Sequence, residues 1–301
     1  MRVEFFGCRG SIAVPGASTV KYGGNTTCIE VQTESGSEMI LDGGTGIRCL
    51  GDARVSDGRK LYHVFVTHTH WDHIQGIPFF TPLFIPGNVV RFHGPSDPVR
   101  MRSLRETLLV QLEHAYFPVA ETELSAALEY VDLTPGKPCS LGDAIVTPVL
   151  MNHPVTCLGY RIDADESSVF FTGDHEPPYN IYEPGDPDFA GYQDLLDERI
   201  AMLEDAIRGV DVLICDATYL ESEYEAHKGW GHSSTAQCLR LAERVGAGTL
   251  VLTHHEPTRD DASLDALAEH LEASQASRSF DVIIAREGMI IEVTKNSGEP
   301  T

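Results

Sequence analysis

The sequence predicts an α/β protein, and three observations lead to that prediction. Short apolar runs rich in β-branched residues, typical of buried strands, recur along the 301 residues. Segments with a helical spacing of apolar residues follow them in both halves of the chain. A hydrophobic content of 42% is enough to fill a sizeable core, and no low-complexity linker interrupts the pattern. We therefore expect one domain over residues 1–301, built from two halves that face each other.

The first half is predicted to be mainly β structure. Strands are expected at residues 3–6, 28–33, 39–42, 61–66, 89–93 and 128–131, with glycine-rich turns between the early ones. A helix is expected at residues 97–112, where Asp97 and Pro98 provide a start signal. The aromatic segment at 115–119 forms either a wall of a substrate pocket or a buried patch that holds this helix to the sheet.

The second half is predicted to alternate strands and helices. Strands are expected at residues 144–150, 158–162, 169–171, 210–215 and 249–252. Helices are expected at 195–209, 235–245 and 262–273, with Ser233 or Ser234 as the N-cap of the second of these. Residues 177–191 are expected to form a surface loop or a lid, and the apolar runs 280–285 and 289–293 a closing hairpin.

The densest group of candidate metal ligands follows the strand at 61–66. Four candidates, His68, His70, Asp72 and His73, fall within six residues directly after the strand. Imidazole nitrogens and carboxylate oxygens suit a divalent transition ion, and a tetrahedral site takes only three or four protein ligands. Because further histidines and aspartates follow downstream, two ions are expected rather than one.

Later strands end in the same kind of residue. His153 follows the strand at 144–150, Asp174 follows that at 169–171 with a carboxylate able to bridge two cations, and His254 and His255 follow that at 249–252. Asp42 either caps the turn after its strand or accepts an N–H from a ligating histidine. His232, just before the helix at 235–245, is either a turn residue or a functional one.

The chain resembles a known superfamily. The run from His68 to His73, His-Thr-His-Trp-Asp-His, matches the His-x-His-x-Asp-His signature of the metallo-β-lactamase fold superfamily, and residues 74–78 continue as in its phosphodiesterase-like members. The segments 7–11, 22–26 and 41–46 resemble the N-terminal half of cyclic-phosphodiesterase-like and ribonuclease Z-like members. Across residues 3–293, the resemblance implies a four-layered αββα sandwich of the metallo-β-lactamase type.

The resemblance also implies how the ligands divide. His68, His70 and His153 would hold one ion, Asp72, His73 and His254 the other, and Asp174 would bridge them. It selects His254 over His255, which remains the alternate. Many relatives have Thr or Ser in place of His175, whose role stays open. The Gly-His-Ser sequence around His232 is similar to a loop that carries a functional histidine in ribonuclease Z-like enzymes.

Such a centre predicts hydrolysis. Two ions roughly 3.5–4 Å apart that share a water lower its pKa toward neutrality, so that a metal-bound hydroxide attacks the substrate. His232 would protonate the departing alkoxide or hold a phosphate oxygen, and Asp72 would orient the nucleophile. Histidine-rich sites favour zinc as the divalent metal, and the carboxylates leave manganese or iron open.

The net charge and the cysteines restrict the binding partners and the cellular location that we expect. The 22 basic against 45 acidic residues give a formal net charge of −23, which repels long nucleic acid and acidic membranes. The seven scattered cysteines fit neither a disulfide framework nor a thiolate zinc site, and no charged leader or long apolar stretch is present. A cytoplasmic protein is expected, with a homodimer left open.

The predicted function is a phosphodiesterase acting on small cyclic nucleotides or cyclic phosphates. Ribonuclease Z-like RNA processing is one alternative, although the sequence has no evident basic arm. Hydrolysis of an ester, thioester or lactone on the same centre is another. A purely structural metal is disfavoured, because a closed structural site uses about four ligands.

Overall fold

The structure, a computed structural model, describes residues 1–293 and 295. Within this part of the chain the strands are β1 (Arg2–Gly7), β2 (Cys28–Gln32), β3 (Glu38–Leu41), β4 (Leu61–Phe65), β5 (Val89–Gly94), β6 (Ala127–Asp132), β7 (Cys139–Leu141), β8 (Ala144–Met151), β9 (Cys157–Ala164), β10 (Ser167–Phe171), β11 (Val212–Asp216), β12 (Thr249–Thr253), β13 (Asp281–Ile284) and β14 (Ile290–Glu292). The α-helices there are α1 (Gly46–Arg54), α2 (Trp71–Ile74), α3 (Leu104–Leu109), α4 (Phe189–Ala206), α5 (Glu221–His227), α6 (Thr235–Val245) and α7 (Asp261–Ala273). None of these helices is long and apolar enough to cross a membrane.

The strands form two sheets whose topologies repeat each other. Among the described residues, the first sheet has seven strands in the order β14-β1-β2-β3-β4-β5-β6, and the second has seven in the order β13-β12-β11-β10-β9-β8-β7. In each sheet four successive strands pair antiparallel, β14-β1-β2-β3 in the first and β7-β8-β9-β10 in the second, and the remaining pairings are parallel. The carboxyl ends of the parallel strands therefore lie at a common edge of each sheet.

Three apolar clusters define four layers. Residues from both sheets, among them Phe5, Val31, Tyr160 and Ile214, pack face to face in the central cluster. The outer face of the first sheet packs on α1 and α3, and the outer face of the second on α4, α6 and α7. This arrangement confirms the predicted αββα sandwich. It follows from the sequence because strands such as β11, buried at all five positions, must be covered on both faces.

The predicted helix at 97–112 is wrong in its first half. Asp97 does accept backbone N–H groups, from Val99 at 2.9 Å and Arg100 at 3.1 Å, but it caps only a turn. At Met101 the backbone has φ of 54°, a left-handed conformation that no α-helix can contain. The helix α3 begins after Ser103, whose capping box with Glu106 provides the true start signal.

The predicted closing hairpin is also wrong, because its two strands join different sheets. The run at 280–285 forms β13, which pairs parallel with β12 in the second sheet. The run at 289–293 forms β14, which pairs antiparallel with β1 in the first sheet. Without these two runs, β1 and β12 would be unpaired edge strands of the two sheets. Pairing both edges satisfies more backbone N–H and C=O groups than a hairpin between the two runs would.

Other elements differ in extent or were not predicted. The elements α1, α2, α5 and β7 were not predicted, and α4 begins at Phe189, inside the predicted loop. The aromatic segment at 115–119 lies at the surface. Its Tyr116 is exposed, and Phe117 packs edge-on against Phe79 with 5.4 Å between ring centroids.

Candidate metal centre

The chain delivers its candidate ligands at the ends of strands. His68, His70, Asp72 and His73 follow β4, where α2 starts, and the remaining candidates follow β8, β10 and β12. Parallel strands such as β4, β10, β11 and β12 bring their carboxyl ends to one edge of a sheet, so the loops that follow them can meet. Because the two sheets face each other, the loops from both converge on one cluster.

The seven predicted ligands lie in two groups that share Asp174. In each group the ligand atoms are within 4.8 Å of one another. The groups are His68, His70, His153 and Asp174 on one side, and Asp72, His73, His254 and Asp174 on the other. This is the predicted division, although the ligand role of each residue remains a prediction.

Asp174 stands between the two groups through its two carboxylate oxygens. Its Oδ2 lies 3.4 Å from His68 Nε2 and 3.8 Å from His153 Nε2. Its Oδ1 lies 3.1 Å from His73 Nε2 and 3.2 Å from His254 Nε2. The geometry is that of a carboxylate able to contact one cation with each oxygen.

Hydrogen bonds at the far side of four histidines fix their rings. Each Nδ1 has a partner in the surrounding protein: His73 pairs with Asp42 (2.7 Å), His254 with Thr218 Oγ1 (2.9 Å), His153 with the Gly231 carbonyl (2.9 Å) and His68 with Thr67 Oγ1 (3.1 Å). Each Nε2 is thereby left for the cluster, the usual arrangement of metal-binding histidines. His70 is reversed, with its Nδ1 at 3.1 Å from His153 Nε2. Of the two interpretations of Asp42, the hydrogen bond from a cluster histidine is the one observed.

The cluster fits divalent metal ions. His68 Nε2 and Asp174 Oδ1 are buried and have no hydrogen-bond partner among the described residues. A buried polar atom without a partner is unfavourable by about 1–3 kcal/mol. Histidine nitrogens and carboxylate oxygens suit divalent transition ions, so the residues fit a pair of such ions.

The pKa values of the cluster residues also favour cation binding. Burial would lower the pKa of His73, but the carboxylates of Asp174, Asp72 and Asp42 outweigh it and raise that pKa well above its usual value. Burial would likewise raise the pKa of Asp174, yet the neighbouring histidines hold it well below its usual value. The cluster therefore retains ionised carboxylates in a buried place, which attracts cations.

The structure separates His254 from His255. His254 has a φ of 59° and turns its ring into the cluster. His255 Nε2 donates instead to the Ala285 carbonyl at 2.8 Å, and burial lowers the pKa of His255 to about 3. Gly10 makes room for His254, because a Cβ there would lie 2.3 Å from the ring's Cε1.

His232 stands next to the cluster and is paired with Asp216. Its Nδ1 lies 2.9 Å from Asp216 Oδ2 and 3.8 Å from Asp174 Oδ2. Burial would lower the pKa of His232, but Asp216 outweighs it and raises that pKa to about 9. Together with Asp174 and His254, this pair also lies within metal-ligating distance. Asp216, the last residue of β11, was given no role in the sequence-based prediction, whereas Asp174, three residues after β10, was predicted as a ligand.

Buried groups hold the loop that carries His232. Glu176 accepts the backbone N–H of Gly229 at 2.8 Å and of Gly231 at 2.9 Å, and the hydroxyl of Tyr224 at 2.8 Å. His175 lies outside the metal-ligand groups. Its Nδ1 accepts the Asn152 N–H at 3.2 Å, and burial lowers the pKa of His175 to about 4.

Two cavities flank His153. One, of about 530 Å³, is lined by His153 and Thr69, which lies between two cluster histidines. The other, of about 230 Å³, is lined by His153, Tyr179 and Tyr192. Tyr179 belongs to the predicted loop or lid at 177–191, and Lys228 lies over its ring at 4.4 Å. A molecule held in either cavity would therefore lie beside the metal-ligand cluster, at His153.

Comparison with known proteins agrees with this geometry. A family model described as "Beta-lactamase superfamily domain" matches residues 40–255. A ribonuclease Z of Haloarcula marismortui is 27% identical over 322 aligned positions, covering 96% of this chain and 96% of that protein. The metallo-beta-lactamase fold protein YhfI of Bacillus subtilis has a similar fold, with a TM-score of 0.67, 20% identity and coverage of 97% of this chain and 99% of that one. A diphosphatase of the PhnP family has a TM-score of 0.62, 18% identity and coverage of 98% of both chains.

Proposed function

The chain belongs to the beta-lactamase superfamily and is a hydrolase, and from this premise we propose that it is a dimetal phosphodiesterase of small cyclic nucleotides or cyclic phosphates. The observation that carries the proposal is the Asp216–His232 pair beside the metal-ligand cluster. A diester needs a protonated group for its departing alkoxide, and this pair supplies one.

The cluster residues would hold two divalent metal ions, with zinc favoured and manganese or iron as alternatives. His68, His70 and His153 form one set, Asp72, His73 and His254 the other, and Asp174 is shared. When bound, the two cations supply Lewis acidity to the phosphoryl oxygens and make water acidic enough to attack near neutral pH.

In this mechanism His232 donates a proton and Asp72 orients the attacking water. His232 gives the proton on Nε2 to the leaving oxygen, while Asp216 at Nδ1 holds the ring and stabilises its charged form. Asp72 accepts a hydrogen bond from the attacking water. Its pKa lies below the usual range because His73 and His254 outweigh the effect of burial, so it stays ionised, and the Ser11 N–H at 2.6 Å fixes its Oδ2.

The choice of a small substrate rests on charge and size. A net charge of −23 disfavours a long polyanion, and a cavity of about 530 Å³ falls within the range that small ligands occupy. The seven unpaired cysteines are compatible with the cytoplasmic location expected from the sequence.

A second candidate is RNA processing. It is favoured by the ribonuclease Z of Haloarcula marismortui, which this chain matches over nearly its whole length. It predicts salt-sensitive binding of RNA, since each phosphate contacted releases counterions.

The test compares hydrolysis of a 3′,5′-cyclic nucleotide with that of bis(p-nitrophenyl) phosphate, using protein loaded with zinc or manganese and Asp174→Ala as the blank. A cyclic-nucleotide rate that disappears in the blank supports the proposal. Hydrolysis of the activated diester alone keeps the mechanism and rejects the cyclic nucleotide. Cleavage of a transfer RNA precursor with far higher efficiency favours the second candidate, and activity on thioesters or lactones alone rejects both.

A further inference from the structure

Three arginines line the cavity of about 530 Å³ beside the metal-ligand cluster. Arg100 and Arg102 come from the loop before α3, in the first half of the chain. Arg199 comes from α4, in the second half. The two halves therefore bring positive charge to one place, next to His153.

This concentration of positive charge runs against the composition of the chain. The chain has 22 basic and 45 acidic residues, whereas Asp97 is the one carboxylate among the described residues that line this cavity. Asp97 is engaged in its own turn. Its Oδ1 accepts the Val99 and Arg100 N–H groups, and its Oδ2 is 3.8 Å from Arg100 Nη1. The cavity wall thus keeps a net positive charge.

Two of these guanidinium groups form no ion pair with a carboxylate among the described residues, although the charge of Arg102 acts at longer range on Glu106 of α3. Most arginines of the described chain contact a carboxylate, as Arg54, Arg59 and Arg259 do. Within the described residues, no carboxylate lies within 4.0 Å of the side-chain nitrogens of Arg102 or Arg199. An acidic protein has ample carboxylates to neutralise such groups, so their absence at this cavity leaves the two arginines available to an anionic ligand.

The ligand chemistry follows from the guanidinium group. Arginine presents planar, paired N–H donors that match phosphate oxygens, and it stays charged at all ordinary pH values. The scissile phosphate itself would lie at the metal-ligand cluster. An anion held at Arg102 and Arg199 would therefore be a second anionic group of the substrate, apart from the scissile phosphate.

We propose that Arg102 and Arg199, assisted by Arg100, form a subsite for a second phosphate, so that the preferred substrate is a small phosphodiester that also carries a phosphomonoester or diphosphate group. This inference rests on the proposed phosphodiesterase function and narrows its substrate class. Val99, Leu150 and Val155, half-exposed or exposed apolar residues of the same wall, provide a surface for the body of the substrate between its two phosphates.

Binding tests the subsite without turnover. Metal-loaded protein is titrated with thymidine 5′-monophosphate and thymidine 3′,5′-bisphosphate, and with adenosine 5′-monophosphate and adenosine 5′-diphosphate, by calorimetry. At least one doubly phosphorylated ligand should bind roughly tenfold more tightly than its partner. The gap should close in the Arg102→Ala/Arg199→Ala protein and persist in Arg48→Ala, which removes an exposed arginine of α1 outside the cavity. Equal binding within both pairs overturns the inference.

Kinetics separates this inference from the proposed function. The substrates are thymidine 5′-(p-nitrophenyl phosphate) with and without a 3′-phosphate. Hydrolysis of both with equal kcat/KM, together with no binding gap, rejects the subsite and keeps the phosphodiesterase. A binding gap without any hydrolysis rejects the phosphodiesterase and keeps an anion subsite. A single-stranded RNA of ten nucleotides provides the third comparison. If it binds far more tightly than any bisphosphate and loses affinity in the Arg102→Ala/Arg199→Ala protein, the arginines bind a polynucleotide and the small-substrate inference is wrong.

Discussion

The Asp216→Asn substitution tests the role of the Asp216–His232 pair. Asparagine has nearly the same shape but no negative charge. Asp216 Oδ2 accepts from His232 Nδ1 at 2.9 Å and from the His175 N–H at 3.1 Å, while its Oδ1 accepts from Thr218. An amide group cannot accept on both sides, so one of these hydrogen bonds is lost or the His232 tautomer changes.

The magnitude follows from the pKa of His232. Asp216 is the largest of the effects that raise it, from an ordinary 6.5 to about 9, a difference of about 3 kcal/mol in favour of the protonated ring. At pH 7.5 a histidine with the ordinary pKa is only about one-tenth protonated, so protonation alone reduces kcat roughly tenfold. Loss of orientation extends the reduction toward the ~10²-fold or more that general acid catalysis contributes.

The assay is the kcat–pH profile on a diester with a poor leaving group, with metal content measured in parallel. The native profile should fall as pH rises through the pKa of His232, and in Asp216→Asn this fall should move to lower pH. Bound cations lower both pKa values, so the shift between the two proteins is the quantity measured. Asp211→Asn, which changes another buried carboxylate just before the same strand, is the matched control.

Two results would refute the reasoning. Unchanged kcat in Asp216→Asn would mean that the pair does not take part in catalysis. Loss of about one metal equivalent would mean that Asp216 is a ligand, as its distance from Asp174 and His254 permits. A His232→Ala/Asp216→Asn double variant no slower than His232→Ala alone would show that the two residues act as a unit.

Two further predictions follow from the geometry. The Gly10→Ala substitution should weaken metal binding roughly 10–100-fold, measured by competition with a chelator, because the new Cβ displaces the His254 ring. The control is Gly16→Ala, where a Cβ meets nothing within 4 Å, and this protein should bind metal as the native protein does. Unchanged affinity in the Gly10→Ala protein would contradict the ligand role of His254. His63 and His93 form a buried pair with 3.0 Å between their ring nitrogens, and burial lowers their pKa values to about 4 and about 3. As pH falls, the unfolded chain therefore takes up protons before the folded one does. The contribution of this pair to the free energy of unfolding is fully present above pH 6.5 and is lost as pH falls below it. In the His93→Phe protein the phenyl ring fits the stack on Phe65. Between pH 7.5 and pH 5 its free energy of unfolding, measured with urea, should therefore fall by roughly 2 kcal/mol less than that of the native protein. An equal fall in both proteins would contradict this account.

The sequence was most informative where the site is local in the chain. His68, His70, Asp72 and His73 fall within six residues, so a linear pattern reveals them. His153, Asp174 and His254 were predicted as ligands because each follows an apolar strand within three residues, and the family resemblance selected His254 over His255. The strand ends carried the information, since they are the places where a buried element meets an edge of its sheet.

The rest of the site depends on contacts between distant parts of the chain. Nothing in the sequence near Gly10 tells that a ring from residue 254 will lie against it. Asp216 has the sequence of an ordinary strand end, and it lies beside His232 because Ser234 pairs with Tyr219, a few residues after β11. The arginine subsite needs α4 and the loop before α3 to meet, and the expected helix at 97–112 concealed that loop.

The C-terminal error has a related cause. Two apolar runs separated by a few residues predict a hairpin from local preference alone. Local preference cannot register that β12 and β1 each had an unpaired edge. Gly288 N–H binds the Phe5 carbonyl at 2.8 Å and Ala285 N–H binds the Leu252 carbonyl at 2.8 Å, so the turn between the two runs is the crossing from one sheet to the other.

The buried charges of the site link metal binding to protons. The carboxylates of Asp42, Asp72, Asp174 and Asp216 are buried together. Although burial opposes it, these carboxylates raise the pKa values of His73, His254 and His232, so a metal-free cluster neutralises its negative charge by taking up protons. Cations that enter must displace the protons held on the ligating rings, and metal affinity should therefore rise with pH. Because protons can stand in for part of the cations' charge, the ligands need not scatter in the metal-free protein, and the cluster is preorganised for the ions it binds.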